Sequence, residues 1–128
     1  MGIEIIIETE VYPTEDVEKI KDAILKIFPD AKIEVLAGEI RALSQSIENF
    51  GKILKEERIR DAARSVLLGN LYDDEIIFGI NKQAATVGKI SFSVGNVPLG
   101  DMKITIRGEN LRDVVDRIAP DTRKRRSR

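Results

Sequence analysis

The chain has 128 residues, 42% of them hydrophobic and 34% charged, and its formal net charge is −1. It contains no cysteine and no histidine, which excludes disulfides, thiolate nucleophiles, cysteine-ligated metals and the commonest general base. Length and composition predict a single globular domain at 1–120, followed by a basic, disordered tail at 121–128.

The charges are unevenly distributed. Residues 1–50 carry 5 Lys or Arg against 11 Asp or Glu, whereas 51–128 carry 16 against 11. This asymmetry suits either an anionic partner for the second half or mutual neutralisation of the two halves in the fold. No apolar run reaches the roughly 18 residues that span a bilayer, and the N-terminus lacks the layout of a signal peptide. A cytoplasmic protein without a membrane partner is expected.

The first half alternates between strand and helix patterns. Residues 3–11 have the period-two alternation of a strand with one wet face. A helical pattern follows as far as Pro29, and 32–37 has the pattern of a second strand. The next apolar residues recur at helical spacing: Leu43, Ile47, Phe50 and Leu54. A further helix, rich in arginine, is expected from Glu57.

The second half predicts three strands and a last helix. The strands are expected at 75–81, 88–94 and 102–106, and the helix at 110–118. The resulting order is β-α-β-α-α-β-β-β-α. Alternating strands of this kind predict an α+β fold with two layers, a largely antiparallel sheet with helices on one face.

The polar face of this sheet is expected to hold charged residues and no aromatic side chain. A platform that stacks RNA bases on aromatic rings is therefore not predicted there. Ile6, Leu36 and Ile77 are apolar exceptions on this face. They are either scattered single residues or part of a subunit contact.

The arginine-bearing helix offers three candidate phosphate contacts: Arg58, Arg60 and Arg64. The alternative is ion pairing within the helix, because Glu57 lies three residues before Arg60 and Asp61 lies three residues before Arg64. Arg58 lies off that stripe and lacks an equally obvious local acid. The interleaved acids favour pairing within the helix for the other two.

A polar bend at 81–89 separates two hydrophobic strands, and four of its residues are candidate RNA contacts: Asn81, Lys82, Gln83 and Lys89. Ala84 and Ala85 indicate a short helical turn within it. Phe78 and Phe92, on the flanking strands, are expected to point into the core. The polar atoms of the bend are then left without an evident structural task.

The C-terminal segment is strongly basic, and its candidate phosphate contacts are Arg123, Lys124, Arg125 and Arg126. Such an arm binds polyanions by releasing counterions, unless it is simply a solvated tail.

Motifs of enzymes are missing from the sequence. There is no phosphate-binding glycine loop and no nucleophile elbow. Asp73-Asp74-Glu75 could hold a magnesium ion, but turn formation explains the aspartates more simply. We expect no cofactor and no catalytic activity.

Two segments, 58–69 and 78–92 with its Asn-Lys-Gln-Ala-Ala block, resemble a known family. Pro98-Leu-Gly100 and 118–123 also fit, so the resemblance covers the chain as far as Arg123. The family is a small archaeal one, whose uncharacterised members are catalogued as RNA-binding domains.

This resemblance implies a fold similar to that of the ribosomal large-subunit protein that contacts five-S RNA. It also implies a homodimer and association with an RNA-processing complex. We therefore expect a non-catalytic RNA-binding protein in archaeal RNA processing or ribosome-related work. The alternative is a homodimeric protein-interaction or assembly module that does not bind nucleic acid.

Overall fold

The computed structural model describes residues 2–93 and 100–121, in which six strands form one sheet accompanied by five helices. The elements in chain order are β1 (Glu4–Glu10), α1 (Val17–Ile27), β2 (Lys32–Leu36), β3 (Glu39–Ser44), α2 (Glu48–Glu56), α3 (Arg60–Gly69), β4 (Leu71–Tyr72), β5 (Glu75–Ile80), α4 (Lys82–Thr86), β6 (Met102–Arg107) and α5 (Leu111–Ile118). The sheet order is β2-β3-β1-β6-β5-β4, and each neighbouring pair is antiparallel.

The sheet has two chemically different faces because successive side chains of a strand point to opposite sides. On β1, Ile5 and Ile7 are buried under the helices, whereas Glu4, Ile6 and Glu8 lie on the other side. We call that other side the open face. The same alternation runs through β5 and β6, so the predicted two-layer α+β architecture with helices on one face is confirmed.

The four phenylalanines of the chain form one cluster in the core. Phe50 of α2 stacks on Phe28 with ring centroids 5.8 Å apart, and it lies 5.9 Å from Phe78 and 6.4 Å from Phe92. Aromatic pairs of this kind contribute about 0.5–1.5 kcal/mol each beyond the area that they bury. The expected inward orientation of Phe78 and Phe92 is confirmed.

Two strands were missed by the sequence interpretation, the two-residue β4 and the longer β3. Leu43 was expected to begin a helix, but it lies on β3, and α2 begins only at Glu48. Gly38, with a φ of +74°, makes the turn from β2 into β3. The core-facing positions of β3 include Ala42 and Ser44, whose small side chains weaken the alternation of apolar and polar residues that marks a strand. Leu43 lies on the open face, and its spacing from Ile47 wrongly suggested that it belonged to the following helix.

Other differences are local. The strand expected at 88–94 is reduced to one isolated bridge between Ile80 and Phe92, and Val94 lies outside the described residues. The arginine-bearing helix begins at Arg60 rather than Glu57. The short helical turn expected around Ala84 and Ala85 is confirmed as α4.

No helix among residues 2–93 and 100–121 has the length and apolar character needed to cross a bilayer.

Candidate nucleic-acid interface

The junction of α2 and α3 exposes a cluster of basic side chains. We call this cluster the basic corner, and its members are Lys52, Lys55, Arg58 and Arg60. The first three are exposed and Arg60 is half-buried. None of the four forms an ion pair with any other residue that the structure describes. Only Glu56 and Glu57 are acidic between positions 52 and 60, so the corner carries a local positive charge.

The backbone of the corner holds Arg58 in the left-handed conformation. Its amide donates to the carbonyl of Lys55 at 3.1 Å, and the Ile59 amide donates to that of Leu54 at 3.0 Å. These two bonds form a Schellman motif, which ends α2 with a residue in the left-handed region. Arg58 occupies that position with a φ of 59°. Glycine is the residue usually found there, so an arginine at this position is strained by about 1 kcal/mol or more.

Arg64 has a structural partner on another helix. Its guanidinium donates to Asp116 of α5 at 2.8 Å and to the carbonyl oxygen of Ala119 at 3.1 Å. The pairing expected within the arginine-bearing helix is therefore replaced by a link between α3 and α5. Arg64 has less capacity than Arg58 or Arg60 to bind a phosphate.

The bend at 81–89 divides into structural and exposed residues. The side chain of Asn81 caps α4 by accepting a hydrogen bond from the Ala84 amide at 2.8 Å. Lys82 is only 6% exposed, and its ammonium donates to Glu15 at 3.0 Å and to the carbonyl oxygen of Glu10 at 2.8 Å. The expectation that these polar atoms lack a structural task was wrong. An Asn before Lys-Gln-Ala-Ala was a capping signal that the sequence did contain.

Gln83 and Lys89 are exposed. They belong to α4 and the turn after it, which pack against α1, where the Lys26 ammonium donates to the carbonyl oxygen of Thr86. Arg58 and Arg60 thus lie two positions apart at the junction of α2 and α3, whereas the exposed residues of the bend lie on a different pair of helices.

The basic C-terminal candidates Arg123, Lys124, Arg125 and Arg126 lie outside the described residues. The described chain stops at Asp121, which lines the same surface depression as Arg64 and Leu68 of α3. Asp121, the last described residue, therefore lies beside α3, the helix that also carries Arg60.

The open face is chemically unsuited to a polyanion. The register places six acidic residues on it: Glu4, Glu8, Glu10, Glu34, Glu39 and Glu75. Only four basic residues share that face: Lys32, Arg41, Lys103 and Arg107. Arg41 and Arg107 already pair with Glu8 and Glu75 at 3.6 and 2.6 Å. A net negative face repels phosphates, so the basic corner is the better candidate.

One aromatic residue on the open face was missed. Tyr72 of β4 pairs in register with Glu75, which in turn pairs with Arg107, so Tyr72 lies on the open face, where it is 80% exposed. The strand β4 has only two residues, too few to give an alternation signal. A single tyrosine at a sheet edge does not make a platform for several bases.

The candidate magnesium ligands form a turn. Asp73 and Asp74 connect β4 to β5, and Asp73 has a φ of 57°. Within the described ranges, no three carboxylates converge on a point where a metal ion could bind.

Comparisons with known proteins agree on one family. A family model described as RNA binding matches residues 4–110. The chain is 41% identical over 130 residues to a UPF0201 protein of Sulfurisphaera tokodaii, covering 94% of this chain and 89% of that protein. It is 39% identical over 125 residues to a UPF0200/UPF0201 protein of Archaeoglobus fulgidus. That alignment covers 95% of this chain but 39% of the relative, so the chain spans well under half of that protein's length.

A solved structure leads to the same conclusion. The crystal structure of an uncharacterised UPF0201 protein shares 39% identity and a TM-score of 0.86 with this chain, covering 92% of this chain and 94% of that one. The archaeal family expected from the segments 58–69 and 78–92 is confirmed. The chain belongs to the family whose model is described as RNA binding, together with the archaeal UPF0201 proteins.

Proposed function

We propose that this protein is a non-catalytic RNA-binding protein that holds phosphates with its basic corner and its basic C-terminal segment. The observation that carries the proposal is the corner itself, where four cationic side chains form no ion pair with described residues. Asp121, the last described residue before the basic segment of the sequence, lies beside α3. The RNA-binding description of the family supports the same ligand.

The chemistry of the corner suits contact with the RNA backbone rather than with bases. Lysine and arginine bind phosphate oxygens through charge and hydrogen bonds and carry little sequence information. Neutralising four phosphates gives a slope of about −3 when the logarithm of affinity is plotted against that of salt concentration. We therefore expect binding that favours structured RNA by shape and weakens steeply with salt.

The cellular role that we propose is RNA processing or ribosome-related work in the archaeal cytoplasm, within an RNA-processing complex. It rests on the family and on the resemblance to the ribosomal protein that contacts five-S RNA. Crosslinking of the protein in archaeal cells, with sequencing of the attached RNA, tests it. Recovery of ribosomal RNA or its precursors supports this role, and recovery of only unselected cellular RNA contradicts it.

A salt titration with matched variants tests RNA binding directly. Filter binding of a structured RNA is measured from about 50 mM salt upward for the natural protein and for Arg58→Glu combined with Arg60→Glu. The control variant, Lys19→Glu with Lys21→Glu, makes the same change of charge on α1. We expect the corner variant to lose at least about tenfold in affinity and about 1.4 in slope, while the control changes little.

Two results would contradict the proposal. One is undetectable binding by the natural protein at about 50 mM salt, where electrostatic attraction is strong. The other is an equal loss in the corner variant and the control, which would mean that net charge rather than the corner attracts the RNA. Arg64→Ala adds a further comparison. Because Arg64 pairs with Asp116, its loss should lower the stability of the protein and change the salt slope of RNA binding little.

A homodimeric interaction or assembly module is the second candidate, and one observation favours it. Apolar side chains of neighbouring strands adjoin on the open face, where Leu43 is 49% exposed and Ile77 is 38% exposed. Exposed apolar residues that adjoin in this way often mark a protein contact. Sedimentation over a range of concentrations tests self-association. If the dimer forms through this face, Ile77→Glu should weaken it at least about tenfold, and an unchanged association constant would contradict the use of this face.

A further inference from the structure

Beside an end row of Leu36, Glu39 and Glu10, the open face carries three parallel rows of side chains that run across the strands. The middle row follows the register Lys32, Leu43, Ile6, Thr105, Ile77, one residue from each of five strands. Thr105 is only 4% exposed although none of the described helices covers this face, and Ile6 and Ile77 flank it in the register. The row is thus an apolar stripe with a lysine at one end.

Charged rows lie on both sides of this stripe. On one side the register gives Glu34, Arg41, Glu8 and Lys103. On the other side it gives Glu4, Arg107 and Glu75. Acid and base alternate along both rows. The two central strands therefore carry opposite charges, with Glu4 and Glu8 on β1 and Lys103 and Arg107 on β6.

This pattern is complementary to a second copy of itself in only one of two simple orientations. We propose that two copies pair open face to open face about a two-fold axis that lies between β1 and β6 and runs parallel to the strands. This inference rests on the homodimer proposed above and adds the face, the symmetry and the pairs of residues in contact.

The charges select this axis. A rotation about it sets β1 of one copy opposite β6 of the other, so Glu8 faces the second copy's Lys103 and Glu4 faces its Arg107. The same rotation sets Leu43 opposite Ile77. Each contact occurs twice, as the symmetry of an isologous interface requires. Packed sheets cross at an angle of roughly 30°, which displaces facing strands more the farther they lie from the axis. The charged pairs lie on the two strands next to the axis, so this angle disturbs their alignment least.

The other in-plane axis runs along the apolar stripe, perpendicular to the strands. It also buries the apolar residues, but it sets Glu8 opposite Glu4 and Lys103 opposite Arg107. Like charges that face each other across an interface cost several kcal/mol and exclude such an arrangement. The charged rows thus decide between two dimers that the apolar stripe alone would permit.

Charge exchange between the central strands tests the proposal. One variant carries Glu4→Lys and Glu8→Lys, and the other carries Lys103→Glu and Arg107→Glu. Each alone sets like charges against each other across the proposed axis, so we expect its dimer to be at least about tenfold weaker than that of the natural protein. A mixture of the two variants restores opposite charges and should form a heterodimer within about threefold of the natural affinity.

Mixing separates the interface from effects within one chain. Glu8 also neighbours Arg41 and Lys103 in its own sheet, so each variant gains repulsion inside the monomer. That repulsion is the same before and after mixing. Recovery in the mixture can therefore come only from contacts between chains.

Chemical crosslinking provides a second measurement that does not depend on the charge variants folding. The chain has no cysteine, so Leu43→Cys and Ile77→Cys each introduce a single thiol at an exposed site. Packed sheets lie about 10 Å apart, so a thiol-specific crosslinker of about that span is used. The proposed axis predicts efficient crosslinking only when the two variants are mixed, whereas the perpendicular axis predicts crosslinking of each variant with itself.

The outcomes distinguish the two levels of the proposal. If the natural protein stays monomeric up to about 1 mM, the homodimer proposal is wrong, because only very weak association would escape detection at that concentration. A dimer whose charge variants associate as the natural protein does, with no preference for each other, overturns the face and axis. RNA binding through the basic corner is unaffected by either result.

Discussion

The Lys82 ammonium lies 3.0 Å from the Glu15 carboxylate, joining α4 to the segment before α1 across 67 positions of sequence. It also donates to the Glu10 carbonyl oxygen and lies 5.4 Å from the centroid of the Tyr12 ring. The lysine side chain is 7% exposed and that of Glu15 is 28% exposed. This ion pair stabilises the fold. It also leaves Lys82, a polar residue of the bend, unavailable to a ligand.

Replacing Lys82 should destabilise the protein. Lys82→Ala removes one donor from the Glu10 carbonyl and one from the Glu15 carboxylate, which keeps its hydrogen bond from the Tyr12 amide and remains accessible to water. We expect a loss of about 2 kcal/mol in the free energy of unfolding, measured by urea titration. Gln83→Ala, on the exposed neighbouring side chain, should change that free energy by less than about 0.5 kcal/mol. Equal effects of the two changes would contradict the structural role of Lys82.

Acid should weaken the fold through two carboxylates. Burial raises the pKa of Glu15, but hydrogen bonds from the Tyr12 amide and Lys82 outweigh it, so the pKa lies below its ordinary value. Burial likewise raises the pKa of Asp30, but hydrogen bonds from Ser44 and the Gln45 amide lower it overall. A lowered pKa in the folded state stabilises the protein above the unfolded pKa, and that stability is lost as the pH falls through the folded pKa.

The free energy of unfolding should therefore decline from about pH 5 downward. Urea titrations between pH 3 and 7 measure it. Glu15→Gln should be less stable than the natural protein at pH 7 and should lose less stability on acidification. An acid dependence as steep as that of the natural protein would show that Glu15 contributes little to it.

Arg58→Gly should have opposite effects on stability and on RNA binding. Glycine adopts the left-handed conformation without strain, so the free energy of unfolding should rise by about 1 kcal/mol. Loss of one phosphate contact should reduce the salt slope of RNA binding by about 0.7. Arg58→Lys keeps both the charge and the strain, so it should leave stability and slope nearly unchanged. A loss of stability in Arg58→Gly would contradict the strain assigned to this position.

The contact of α2 with α5 at Ile118 depends on a glycine. A Cβ added at Gly51 would lie 2.8 Å from Cγ2 of Ile118. Overpacking of this kind costs about 1–3 kcal/mol and outweighs the gain of about 1 kcal/mol in helix propensity, so Gly51→Ala should reduce stability by about 1 kcal/mol. Gly69→Ala, where nothing lies within 4 Å, should raise it slightly in the same thermal or urea titration. A Gly51→Ala protein more stable than the natural one would contradict the tight contact.

The strong periodic patterns of the sequence were reliable. The strand β5 was predicted from the alternation of Ile76, Phe78 and Ile80, which are buried. The helix α5 was predicted from the helical spacing of Leu111, Val115 and Ile118. β3 was missed because a strand may use small residues at core positions when its neighbours supply the apolar volume. Periodicity within one segment does not report what the neighbouring strands contribute.

The candidate site was less predictable. Lys82 and Gln83 are adjacent polar residues, yet one is buried on Glu15 and the other is exposed. No local signal distinguishes them, because the partner is 67 positions away. Arg64 was expected to pair within its own helix, and its partner Asp116 comes from a helix at the other end of the chain.

The sequence by itself determined the family, the absence of thiol and imidazole chemistry, and the faces of the strongly alternating strands, because these depend on residue identity and short spacing. Only the tertiary structure decided which cations form no ion pair with described residues and which open-face side chains adjoin. Those properties depend on register, which brings Leu43, Ile6, Thr105 and Ile77 into one row from distant parts of the chain. Ion pairs and surfaces are formed by residues that are neighbours in space. Many of these neighbours are far apart in the sequence, so a short segment of sequence does not identify them.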